Sequence, residues 1–111
     1  MTKRLTLAAV LLLWVVSAFC LPAYVKLFSD TYAIPKDSAL AKAKCAVCHV
    51  GMTKKLNPYG QALDKLVKAD KGKKLTADIL KKLNDADSDG DGVKNLAEIK
   101  AGKMPGDPKS K

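Results

Sequence analysis

Cys45-Ala46-Val47-Cys48-His49 is the stretch from which the rest of the chain is best read. Cys-x-x-Cys-His is the attachment spacing of a c-type haem. Two intervening residues put both thiols on one turn of backbone, at the separation needed to add across two porphyrin vinyl groups. The histidine follows at once, so the turn that fixes the porphyrin edge also delivers an imidazole to the iron as proximal ligand. A redox dithiol or half of a zinc site can use the same two cysteines. The dithiol wants a βαβ context, which the flanking sequence does not offer. A zinc site wants four nitrogen or sulfur ligands; the motif supplies two cysteines and the only histidine of the chain.

The N-terminus reads as an export signal. Lys3 and Arg4 form a charged start, Leu5 to Val16 is an apolar run broken only by Thr6, and Ser17-Ala18 opens a more polar stretch. That order is the one found in a secretory signal peptide. We expect a signal peptide over residues 1–23, cleaved after Ala23, with cleavage after Ala18 as the alternative. The domain then spans residues 24–111. The apolar run is short of the about 20 residues a bilayer span needs, although extension through Leu21 allows an uncleaved anchor, the one route to a membrane. Lipidation of Cys20 is disfavoured by the bulky Phe19 before it. The expected location is periplasmic or extracellular.

The 111 residues carry a formal charge of +9, of which Lys3 and Arg4 contribute two positive charges. Every other basic residue is lysine, whereas five of the eleven acids fall at Asp85, Asp87, Asp89, Asp91 and Glu98. A lysine-rich body steers docking to an acidic redox partner, or simply keeps a small protein soluble. Nucleic acid is a poor fit, since beyond the leader there is no arginine and the lysines are not interleaved with aromatics. A domain this small, with few aromatics, builds a thin core and needs a staple. A covalent haem and a bound metal are both suited to that role.

The fold class expected is all-α. Residues 24 to 35 show no clear period and read as an irregular arm ending at Pro35. Asp37 or Ser38 caps a helix from Ala39 to Cys48, ended by Gly51. Asn57-Pro58 starts a second helix, with Tyr59, Ala62, Leu63, Leu66 and Val67 at helical spacing. The run from Asp70 to Lys74 is a polar loop, and Thr76 caps a third helix carrying Ile79, Leu80 and Leu83 inward.

A second site begins at Asp87-Ser88-Asp89-Gly90-Asp91-Gly92. In a twelve-residue frame ending at Glu98, carboxylates fall at positions 1, 3 and 5, glycine at 6 and glutamate at 12, the EF-hand calcium pattern. Asp87, Asp89 and Asp91 point inward at a hard cation, Gly92 permits the sharp turn, the Val93 carbonyl adds an oxygen and Glu98 closes the sphere. Asn95 stands at position 9, where ligation often runs through water. Four aspartates within seven residues repel one another strongly without a cation. Lys94 at position 8 departs from a regular paired EF-hand; the segment resembles the single calcium loops of bacterial secreted proteins and thrombospondin type 3 repeats. With one such loop, the expected role of calcium is structural.

The haem motif, the single histidine, a leading helix and a late Met-Pro together resemble a small monohaem cytochrome c of class I. Leu56-Asn57-Pro58-Tyr59-Gly60 is similar to a stretch that follows the haem motif in small bacterial cytochrome-like proteins. His49 being the only histidine, bis-histidine ligation within one chain is excluded; Met104, Met52, a lysine, a tyrosine, water or no ligand remain for the sixth position. Met52 lies three residues from His49, on the wrong side of the ring. Gly102-Lys103-Met104-Pro105-Gly106 resembles the distal methionine loop of that family, which implies Met104 as sixth ligand. The same Gly-x-x-Pro also follows calcium loops that have no haem nearby. The resemblance implies an electron-transfer protein, not an enzyme, with Cys45, Cys48, His49 and Met104 holding one haem c. The alternative is a ligand-binding or sensory haem protein with an open or weakly held sixth position. With Glu98 only six residues before Met104, loss of calcium is expected to loosen the methionine.

Overall fold

The computed structural model describes residues 21–51 and 53–110. The leader through Cys20, the cleavage position after Ala18 and Met52 lie outside the described residues. Among them the chain forms α1 (Pro22–Thr31), α2 (Ala39–Ala43), a 3₁₀ turn (Lys44–Val47), α3 (Pro58–Ala69), α4 (Ala77–Lys82) and α5 (Asn95–Lys100). No strand is present among the described residues beyond a single antiparallel bridge between His49 and Leu56. The all-α expectation holds.

Local chemistry accounts for most helix starts. The Ser38 hydroxyl accepts from the Ala41 amide, the Asn57 side chain from the Gly60 amide, and the Thr76 hydroxyl from the Ile79 amide. Each satisfies an amide that the first helical turn leaves without a partner.

Two expectations need correction. The arm from residue 24 is a helix, with Pro22 in its first turn. Tyr24, Val25, Phe28 and Tyr32 recur at helical spacing, and this face is covered by α4 and α3. The Phe28 ring is 5.2 Å from Tyr32 and meets Tyr59 edge-on at 6.3 Å. The Tyr24 hydroxyl accepts from the Leu75 amide at 3.3 Å, and the Tyr32 hydroxyl donates to Asn84 at 2.7 Å. Second, the helix from Ala39 does not run through to Cys48. Lys44 takes φ +50°, a backbone state that L-residues adopt uncommonly, and the chain re-enters a tighter 3₁₀ turn carrying Cys45.

The core is one cluster of Phe28, Leu40, Val47, Tyr59, Leu63, Ile79, Leu80 and Ile99. It draws on every helix. No helix among the described residues is long and apolar enough to cross a membrane.

Candidate functional site

Cys45, Cys48 and His49 sit on one tight turn closed by backbone hydrogen bonds from Cys48 and His49 to the Cys45 carbonyl, at 3.2 and 2.9 Å. All three line a cavity of about 330 Å³, within the range of small-molecule and cofactor sites. Its other walls are mostly apolar: Tyr24, Val25 and Phe28 from α1, Leu63 and Val67 from α3, and Leu80 from α4. Lys44 and Asp64 bring charge to it.

The turn offers a haem two sulfurs and an imidazole, and the state of each bears on whether the group fits. Nδ1 of His49 is buried with no hydrogen-bond partner, an arrangement that costs free energy unless something else engages the ring. Cys48 is a free thiol, pushed by burial up to about 12, so it stays protonated and inert until something draws its proton away. Cys45 is disulfide-bonded. A thioether at Cys45 therefore requires that sulfur in its reduced state.

Behind the turn lies a residue that sequence reasoning read only as a helix cap. Asn57 is almost wholly buried. Its side-chain amide donates to the carbonyls of Ala46 and Val47 at 3.2 and 2.9 Å, its side-chain oxygen accepts from Gly60, and its backbone amide donates to the Cys48 carbonyl at 2.9 Å. Gly60 allows this approach, because a Cβ there would stand 2.1 Å from the Cys48 carbonyl oxygen. Asn57-Pro58 signals a helix start, and that signal does not distinguish a cap from a clamp.

Met104 does not line this cavity. It is partly buried against the core cluster, in a turn whose next residue, Pro105, is fully buried. Gly106 lies so close to Asn57 that a Cβ would fall 2.3 Å from its side-chain oxygen. The 104–106 turn thus packs on the clamp of the motif, and the structure does not bring Met104 together with Cys45, Cys48 and His49.

The acidic residues of the 87–98 segment converge. Gly90 (φ +73°) and Gly92 (φ +88°) turn the chain in a region that favours glycine. The Asp87 carboxylate accepts from the Gly90 and Gly92 amides at 3.0 and 2.8 Å; Asp89 accepts from Asp91, and Asp91 from Val93. One oxygen from each of Asp87, Asp89, Asp91 and Glu98 lies within 4.8 Å of all the others. Glu98 is 1% exposed, and neither of its carboxylate oxygens has a hydrogen-bond partner, nor does one oxygen of Asp89. Burial, reinforced by the charges of Asp89 and Asp91, pushes Glu98 up to about 7. Burial also raises Asp89, whereas the Gly92 amide holds Asp87 below the usual carboxylate range.

Asn95 plays a different part from that expected of position 9. It is fully buried, its amide donates to the Leu83 carbonyl and the Ser88 hydroxyl, and its oxygen accepts from the Ser88 amide. The side chain is committed to locking the loop to the end of α4. Val93 is exposed beside the cluster, and Asp85 pairs outside it with Lys94 at 3.7 Å.

No known protein family, no curated protein and no solved structure matches the chain.

Proposed function

We propose that the chain is an exported c-type haem protein that carries electrons, stapled by one structural calcium ion. The observation that carries the reading is the apolar cavity opening beside Cys45, Cys48 and His49. Cys45 and Cys48 would hold the porphyrin edge through thioethers, and His49 the iron. Haem bound there supplies a one-electron iron couple. The apolar side chains of α1 and α3 that line the cavity would shield the ring from water, and the lysine-rich surface favours an acidic redox partner. The calcium reading rests on Glu98, whose two buried, unpartnered oxygens face three aspartates. Asp87, Asp89, Asp91 and Glu98 would supply the carboxylate ligands, with the Val93 carbonyl. A hard cation taking many oxygens fits calcium better than magnesium.

A second reading is favoured by one specific observation, that Met104 packs against the core cluster and does not line the cavity. A haem whose sixth position is open binds small neutral ligands, and the protein is then a sensor or ligand carrier. Carbon monoxide added to the reduced, haem-bearing protein separates the two. Rapid, complete binding, with a spectrum unchanged by Met104→Ala, supports the open site. Poor binding that becomes ready in Met104→Ala supports the His/Met electron carrier.

A further inference from the structure

We propose that Asn57 is the positioning residue of the Cys45–His49 turn and that Gly106 couples it to the calcium loop, so that calcium fixes the haem-attachment turn. The inference deepens the calcium reading and rests on it, but not on haem.

The chain of contacts is continuous. Glu98, whose carboxylate faces the aspartates, uses its backbone carbonyl to accept from the Lys103 amide at 2.8 Å. Lys103 leads directly into Met104-Pro105-Gly106. That turn is closed on itself, the Met104 amide donating to the Ser110 hydroxyl at 3.0 Å. Pro105 is fully buried, and Gly106 approaches Asn57 to a distance that only the absence of a Cβ allows. Asn57 holds three successive carbonyls of the motif, those of Ala46, Val47 and Cys48. A side chain gripping carbonyls on a turn that carries two cysteines and a histidine sets the direction of all three. Packed turns of this kind pass on a displacement because close-packed interiors do not deform smoothly.

Without the cation, like charges and an unpartnered buried carboxylate push the loop open at Glu98. Opening there frees Lys103 and withdraws Gly106 from Asn57. With calcium, the loop closes, the turn seats, and Asn57 is held on the motif.

The test is amide hydrogen exchange on the full chain with and without calcium, read at the His49 and Asn57 amides, with haem attachment scored separately by mass. For an amide that opens only together with the loop, calcium at about 100 times its Kd slows exchange by about 100-fold. In Gly106→Ala, the loop still binds calcium by direct titration, but the gain at His49 and Asn57 falls below about 3-fold. Asn57→Asp, which keeps the acceptor for Gly60 and loses the donors to Ala46 and Val47, lowers protection at His49 with or without calcium. Calcium binding that leaves His49 and Asn57 unchanged in the wild type overturns the proposal, as does full calcium dependence in Gly106→Ala. A chain that binds no calcium overturns the reading beneath it instead. A chain lacking haem but showing the calcium gain keeps this inference and refutes the haem reading.

Discussion

In the 87–98 loop every carboxylate comes from one twelve-residue stretch, whereas the cavity beside Cys45–His49 takes its walls from α1, α3 and α4. The loop is complete locally but electrostatically unsettled, with buried carboxylate oxygens that have no hydrogen-bond partner among the described residues. The cavity is the reverse: its walls are settled by apolar packing, and its chemistry rests on three residues of one turn. The difference separates two ways of building a site. On the proposed reading one is stabilised when a cation arrives, and the other is shaped beforehand by the core.

The largest effect that tests this contrast is on the cavity side. Phe28 anchors α1 on the core, and Phe28→Ala should cost about 3–5 kcal/mol in denaturant unfolding, with or without calcium. A loss confined to calcium-free conditions would mean that the loop, not the core, holds α1. On the loop side, calcium at about 100 times its Kd should add about 2.7 kcal/mol of stability. Glu98→Gln should remove that gain in thermal unfolding, and an undiminished gain would place the cation elsewhere.

The pH dependence sharpens the same contrast. Glu98 has its folded pKa raised to about 7 from an ordinary 4.5. Between those values the calcium-free folded state binds more protons than the unfolded one, so its stability falls as pH rises through that window. Calcium must displace that proton, so its affinity should weaken below about pH 7 by up to about tenfold per unit. Calorimetric titration across the window checks this, and a flat affinity would show Glu98 already ionised. The smallest effect is at the α1 edge: Tyr32→Phe removes the hydrogen bond to Asn84 and should cost about 1 kcal/mol.

How much of this could be read beforehand follows the same division. The loop carboxylates were legible because their spacing is a local code, as were the caps at Ser38, Asn57 and Thr76. Helix α1 was not, because Tyr24, Val25 and Phe28 make a stripe only once Tyr59 and the start of α4 are there to meet it. The break at Lys44 escaped notice because nothing about a lysine announces a positive φ. Asn95 was assigned by register to the ligand sphere, yet Leu83 and Ser88 compete for its amide and hold it. Met104 is read as a ligand only by likeness to a distal loop, and neither the Asn57-Pro58 cap signal nor the likeness of Leu56–Gly60 points to the contact between Asn57 and Gly106.

The central claim is that Cys45, Cys48 and His49 carry a covalent haem, and the most direct measurement is the mass and visible spectrum of the chain produced with a haem-attachment system, after acid–acetone extraction. The account expects haem to stay with the wild-type chain, to stay through one thioether in Cys45→Ala or Cys48→Ala, and to leave the double variant on extraction. A wild-type chain that emerges from the extraction without haem would contradict it.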